Sequence, residues 1–553
     1  MTTLNELADL LFPNVTRTPE DMLALYPPRS LPQGAKVTRF APSPTGFLTI
    51  GGLYATMISE RLARSSGGVF YLRIEDTDKK REVEGSMADM IESLAAFGIA
   101  IDEGPAASGE ETGAYGPYRQ SSRVPLYHVW VKQLVRQGLA YPCFCTEEEL
   151  QTIRDKQQEQ KVTPGYYGEW AVHRFLTPEQ AKEELAAGKP YVIRLKSPGS
   201  PANRVSYMDL VKGPIEMPEN DHDIVLLKSD GIPTYHFAHA IDDRLMGTTH
   251  VFRGDEWLSS VPIHLQLFEV LGFPRPEYGH IAPIMKMDGM SKRKFSKRKD
   301  RDATANYYRS QGYPSLAINE YFMTLINSHY EQWRMDHPAE PYTRFAIDTN
   351  KMNASGALFD MDKLNDISKE VIAKLSAESV YAETSGWAEV YDPELYGWLG
   401  ENKDYALNIF RIGRTLEKPR KDMAKWGDVR SSVAFFHDGW FEDATSGGYP
   451  LPPSVDGMTA KGIAEEFLNR YDPRDDRDAW FGKVKEIAEA FGFAQDTKAY
   501  KKHPEAYKGS VGDVAAVLRS ALSGRLNAPD LYDVMNVMGE ERVRGRLSRF
   551  VQG

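Results

Sequence analysis

The chain has 553 residues, 41% apolar and 26% charged, with a formal net charge of −11. No apolar run reaches the ~18 residues that a membrane-spanning helix needs. One hydrophobic core cannot serve this length, so about three or four domains are expected. The acidic balance argues against a nucleic-acid partner unless basic residues gather on one face.

Residues 1–36 read as a leader, with a short helix from Leu4 to Leu11 and then Pro27, Pro28 and Pro32. Acidic residues replace the basic run of a signal or transit peptide, so it is expected to be neither. The pattern changes between Val37 and Asp78. A strand, Val37 to Phe40, enters a turn stiffened by Pro42 and Pro44, with Thr45 and Gly46 in the turn itself. Gly51 and Gly52 then open a helix whose Leu53, Met57, Ile58 and Leu62 share one face. A second strand, Val69 to Ile74, ends in Glu75, Asp76 and Asp78. This is a βαβ unit, whose helix N-terminus offers backbone N–H groups to an anion, and whose glycines let a phosphate come close. On shape alone it is a nucleotide-site candidate.

Two amphipathic helices follow, one through Met87, Met90, Ile91, Leu94 and Phe97, the other through Leu126, Trp130, Leu134 and Val135. Residues 140–222 look inserted. Short strands (Tyr191 to Lys196) alternate there with charged helices (Thr146 to Gln160, Pro178 to Gly188). Cys143 and Cys145, the only two cysteines, cannot form a disulfide framework, which agrees with a reducing cytosol. Asp223 to Ser229, Tyr235 to Ile241 and His250 to Arg253 read as further strands, and Leu258 to Leu271 as a helix. The expectation is a Rossmann-like parallel sheet split by an α+β insertion, with its ligand crevice at the carboxyl ends of the strands.

Between Met285 and Arg309 the tetrad SKRK occurs twice, at Ser291 and Ser296. From Ser315 onward helical spacing dominates: Ile318 to Ile326, Asp360 to Leu375, Tyr405 to Leu416, Thr459 to Tyr471, Ala479 to Phe491, Val511 to Leu522 and Pro529 to Val537. Two stretches are basic. Ser291 to Arg301 holds seven basic residues against one acidic, and Arg411 to Arg430 seven against three. Either is a nucleic-acid face or a solvated surface.

Several segments, in this order, resemble the class I glutamyl-tRNA synthetases of bacterial type: RFAPSPTG (39–46), Thr49-Ile50-Gly51-Gly52, LRIEDTD (72–78), IPTYHFAHAIDD (232–243), THVFRGDEW (249–257) and KFSKRKD (294–300). The likeness is close over roughly residues 37–330 and looser in the tail. It implies an α/β catalytic domain at 37–117 and 230–285, an inserted acceptor-end domain at 118–229, a lysine loop with a helical stem-contact region at 286–375, and an all-α anticodon-binding region at 376–553. It also implies a cytoplasmic monomer. With ATP and Mg²⁺ such an enzyme activates L-glutamate to an adenylate and transfers it to the 3′ end of tRNA(Glu), releasing AMP and pyrophosphate; tRNA(Gln) is left open as a second acceptor.

The resemblance places roles on residues. Arg39, Ser43, Glu75, Tyr235 and Arg253 would bind glutamate, since two arginines and one carboxylate match a substrate with two carboxylates and one ammonium. Lys294, Ser296, Lys297 and Arg298 keep the pattern of the family's Lys-Met-Ser-Lys-Ser loop, with Lys297 on the leaving phosphates. The first SKRK copy lacks the leading lysine. Thr49, Gly51 and Gly52 stand where the family has His-Ile-Gly-His, so the first histidine is absent. Losing one preorganised donor costs about 3–4 kcal/mol, or 10²–10³ in rate; the threonine hydroxyl recovers part of this. Some relatives bind zinc through a Cys-x-Cys pair and two later ligands. At the matching place stand Tyr166, Trp170 and His173, at most part of a tetrahedral set, so a buried cysteine pair without zinc is expected. No catalytic metal ligand is assigned.

Two rivals stay open. A glutaminyl-tRNA synthetase would end in a β-barrel anticodon region, and the helical tail speaks against it. A synthetase-like RNA-binding protein with impaired catalysis is motivated by Thr49; the retained Lys297, Glu75 and Arg253 argue against it.

Overall fold

The strand Val37–Phe40 pairs in parallel with Val69–Leu72, Val37 opposite Val69, and the helix Ile50–Ser65 returns the chain between them. That helix is buried on several sides, with Leu53, Met57, Ile58 and Leu62 all under 5% exposed. Thr249 N–H donates to Val37 C=O at 3.0 Å, which brings in a second parallel pair, His250–Gly254 with Glu277–Ile281. A further parallel pairing, Tyr278 opposite Asp209, attaches the antiparallel hairpin of Arg204–Asp209 and Gly213–Pro218. The expected Rossmann-like sheet is present, and part of the insertion extends it. The rest of the insertion has its own antiparallel sheet of Ala140–Cys143, Val192–Leu195 and Val225–Leu227.

This computed structural model describes residues 3–296 and 298–553. They fall into two compact units, one of residues up to 307 with 319–360, the other of 308–318 with 361–553. In the first, the leader helix Leu4–Leu11 is fixed by a Thr3/Glu6 capping box and buries Leu7, Ala8 and Leu11 in one cluster with Trp130 and Leu134. Lys132 Nζ holds the carbonyls of Phe12 and Val15.

Two elements differ from expectation. The strand within Asp223 to Ser229, read as one of the parallel sheet, pairs antiparallel with Val192–Leu195 in the insertion's own sheet. Tyr235 to Ile241 is not a strand but the start of the helix Tyr235–Leu245. Phe237 through Asp243 are all buried, polar and apolar alike, so the apolar stripe that marks a surface helix is missing. The aromatic-rich, uniformly buried run therefore looks like a strand in sequence.

The second unit is helical, and no strand occurs in it among the described residues. Its core joins Val380, Leu395, Leu399, Ile463, Phe467, Val514 and Leu547, none more than 1% exposed. Helices Ala377–Tyr391, Pro393–Glu401 and Glu540–Gln552 were not read from the sequence. No helix in the described residues is long and apolar enough to cross a membrane.

Candidate active site

Above the carboxyl ends of the parallel strands lies a cavity of about 1290 Å³. Arg39, Ser43, Thr49, Gly51, Gly52, Glu75, Tyr235, Arg253 and Lys294 all line it. Arg39 and Lys294, 255 positions apart, thus converge on one space. Ser296 and Arg298 are exposed or half-buried outside its wall, and Lys297 lies outside the described residues.

Arg39 sits next to the end of the first strand and Glu75 follows the second, so both emerge at the sheet edge from adjacent strands. Beneath them is a lattice of buried charge. Arg73 Nη1 donates to Asp243 Oδ1 at 2.7 Å and its Nη2 to Glu75 Oε1 at 2.9 Å. Arg39 Nε reaches Asp243 Oδ1 at 3.3 Å. Asp242 accepts from Arg123 Nε (2.6 Å), Tyr127 Oη (2.8 Å) and Gln120 Nε2 (2.9 Å). Asp242 and Asp243 are fully buried. They anchor the arginines below the cavity floor. Burial pushes Glu75 up to about 7 despite Arg73, so it titrates near neutrality.

The helix Tyr235–Leu245 sets Tyr235 on the opposite wall, with its ring 4.3 Å from that of Trp257 and stacked on His239. One turn on, His239 Nδ1 lies 2.9 Å from Asp243 Oδ2, an i,i+4 pair that a strand could not make. Burial holds His239 down to about 4. His236 Nδ1 shares a hydrogen with His264 Nε2 at 2.9 Å. Both histidines beside Tyr235 have structural partners.

Arg253 is the penultimate residue of the strand His250–Gly254, and its guanidinium lies over the Tyr278 ring at 4.9 Å. Its Nε donates to His280 Nε2 at 3.0 Å. Its Nη1 and Nη2 are buried without a partner among the described residues. A buried, unpaired pair of charged donors facing a cavity is costly unless an anion completes it.

Thr49 is the N-cap of its helix, and its hydroxyl oxygen accepts Gly52 N–H at 2.9 Å. The hydroxyl hydrogen is not used in that bond. The cap also takes up one N–H that would otherwise face an anion.

The first SKRK copy forms a β-hairpin, Met285–Asp288 with Ser291–Lys294, turned at Gly289 with φ +61°. It braces the loop. Arg293 grips Asp300 through two nitrogens at 2.6 and 2.8 Å, and Ser296 N–H donates to the same carboxylate. Phe295 packs edge-on against Phe359 at 5.4 Å. Lys294 lies 3.6 Å from exposed Glu256, and Asp255 pairs with Lys212 at 3.3 Å. Reading the sequence missed Lys228, which lines the cavity and donates to Thr77 C=O. It also missed the exposed Lys79, Lys80 and Arg81 at the cavity wall. The KKR run was the available signal.

Away from this cavity, ligand atoms of Cys143, Cys145 and His173 lie within 4.8 Å of one another. The Tyr166 hydroxyl is 3.4 Å from both sulfurs. Cys143, Cys145 and His173 make up part of a tetrahedral donor set, as the spacing predicts. His173 Nδ1 also accepts Phe144 N–H at 3.1 Å, a bond that would have to yield for a metal to use that lone pair.

Residues 36–366 match the class I tRNA synthetase (E and Q) catalytic domain, and residues 481–551 an anticodon-binding domain. The chain belongs to the class I tRNA synthetases (E and Q). It is 52% identical to a glutamate–tRNA ligase of Clostridium perfringens, over 99% of both chains, and 45% identical to one of Sorangium cellulosum, over 97% of this chain and 98% of that one. A crystal structure of a glutamate–tRNA ligase from Elizabethkingia meningosepticum is similar at TM-score 0.71 and 28% identity, covering 94% of this chain and 99% of that one.

Proposed function

We propose that this class I synthetase is a glutamate–tRNA ligase, which activates L-glutamate with ATP and esterifies it to the 3′ end of tRNA(Glu). The observation that carries the reading is the cavity wall, where the buried Arg253 fork, Arg39 and Glu75 face one space. Their charges complement two carboxylates and one ammonium. Arg253 and Arg39 take the carboxylates, Glu75 the ammonium, and Tyr235 with Ser43 closes the pocket. Selection by charge makes a separate editing domain unnecessary.

ATP lies between the helix N-terminus at Gly51 and Gly52 and the loop Lys294 to Arg298. Adenylation gathers negative charge on the α-phosphate as pyrophosphate departs, and fixed dipoles and cations lower that barrier. Mg²⁺ would supply charge neutralisation on the phosphates. Lys297 contacts the leaving group, and the Thr49 hydroxyl donates one hydrogen bond.

Residues 118–229 hold the acceptor end, and the helical unit carries anticodon contacts. Four of the seven basic residues from Arg411 to Arg430 are already paired with carboxylates: Arg411 with Glu378, Arg420 with Asp422, Lys421 with Glu370, and Arg430 with Asp392 and Glu394. That patch is mainly a solvated surface. Incubating the protein with tRNA(Glu) transcript, ATP, Mg²⁺ and labelled glutamate tests the reading. Glutamyl-tRNA is the expected product; none at high enzyme concentration refutes it, and charging of tRNA(Gln) transcript decides the second acceptor.

A further inference from the structure

Arg253 does not stand alone. Its Nε donates to His280 Nε2 at 3.0 Å, and His280 Nδ1 lies 2.5 Å from Asp209 Oδ2. The Asp209 and His280 side chains are fully buried. The other carboxylate oxygen, Asp209 Oδ1, accepts three backbone N–H groups, from Val211 (3.0 Å), Lys212 (2.9 Å) and His280 (3.1 Å). The three residues come from three neighbouring parallel strands, since Arg253 pairs with His280 and Tyr278 with Asp209.

Hydrogen-bond chemistry fixes the protons along this line. Arg253 Nε can only donate, so His280 Nε2 must accept. A neutral imidazole that accepts at Nε2 carries its hydrogen on Nδ1, which is the tautomer that a carboxylate at Nδ1 selects. Burial keeps His280 neutral by lowering its basicity. The guanidinium plane is thereby pinned through Nε, and Nη1 and Nη2 are left as a parallel fork toward the cavity. No other described side chain accepts from Arg253.

We infer that Asp209 and His280 are positioning residues for substrate selection: Asp209 sets the His280 tautomer, and His280 orients the Arg253 fork for bidentate capture of a glutamate carboxylate. The inference rests on the reading of Arg253 as a glutamate ligand.

An isosteric change makes the sharpest test. In Asp209→Asn the three backbone donors hold the amide oxygen in the place of Oδ1, so the NH₂ group turns toward His280 Nδ1. The ring must then accept at Nδ1 and carry its hydrogen on Nε2, where it opposes the Arg253 Nε–H. Volume and packing are unchanged, yet the fork loses its support. The glutamate KM in tRNA-dependent pyrophosphate exchange should rise about 10- to 100-fold, while the ATP KM stays close to that of the parent. His280→Gln keeps an acceptor at the reach of Nε2 and should hold the glutamate KM well below that of His280→Ala.

An unchanged glutamate KM in Asp209→Asn overturns the inference, as does an equal rise for glutamate and ATP. Should Asp209→Asn not fold, the His280 pair decides alone, and equal KM values for the Gln and Ala variants overturn it. Arg253→Gln is the control. If it leaves the glutamate KM alone, the inference falls together with the reading of Arg253; if it alone moves that KM, only the positioning role falls.

Discussion

The two units hide different things. The α/β unit buries Arg39, Arg73, Arg123, Arg253, Glu75, Asp209, Asp242 and Asp243, while the helical unit closes over an apolar core and keeps most ion pairs near its surface. Burying an ion pair rarely gains stability over packed hydrophobic residues. Charge gathered at the sheet edge faces the cavity, and among the described residues the helical unit has an apolar core with no comparable lattice and relies on packing. Replacing Arg253, whose fork has no partner among the described residues, should therefore change chemistry at little cost in folding, and substitutions in the helical core should do the reverse.

The largest break should come from the loop. Lys297→Ala is expected to slow adenylate formation 10²–10³-fold and to leave tRNA binding nearly intact; a parental rate in single-turnover adenylation would remove that loop from the chemistry. Next, Arg253→Gln should raise the glutamate KM about 100-fold, and an unchanged value would move recognition elsewhere.

The helical unit gives the opposite response. Leu399 is fully buried, and Leu399→Ala should cost about 2–5 kcal/mol in denaturant unfolding of that unit, with glutamate activation unchanged. Loss of adenylation in that variant would erase the contrast.

Protons sharpen it further. Glu75 is raised to about 7 because burial disfavours its charge. With the anionic form as the proposed ligand of the substrate ammonium, glutamate affinity should fall about tenfold per pH unit below 7 and level off above it. The free protein gains from the neutral form at low pH and loses that stability as pH rises through 7. The thermal shift produced by glutamate should accordingly be larger at pH 8 than at pH 6, and a pH-independent shift would contradict the assigned role.

The smallest effect belongs to Thr49→His. A histidine should raise turnover several-fold by donating to the phosphates. It also removes the N-cap bond to Gly52 N–H, which costs about 1 kcal/mol of stability. A fall in both would mean that the site has adapted to threonine.

Local order was the part legible in sequence. The turn at Pro42 and Pro44, the glycines at 51 and 52, and the carboxylates after the second strand are set by neighbours, so spacing reveals them. Asp209, His280 and Arg253 are 71 and 27 positions apart, joined by strand register that spacing does not encode. The helix at Tyr235 hid for a related reason, because its polar residues His239, Asp242 and Asp243 turn inward to His264, Arg123 and Arg73 instead of outward to water. The hairpin Ser291–Lys294 showed as a basic run, but its bracing of the loop through Asp300 depends on contacts made after the turn.

The most direct test is the ratio of kcat/KM for glutamate over glutamine in pyrophosphate exchange with tRNA present. A pocket built from a buried arginine fork should favour the carboxylate by about 10⁴ or more. Comparable activity with glutamine would contradict the claim that buried charge at this sheet edge chooses the substrate.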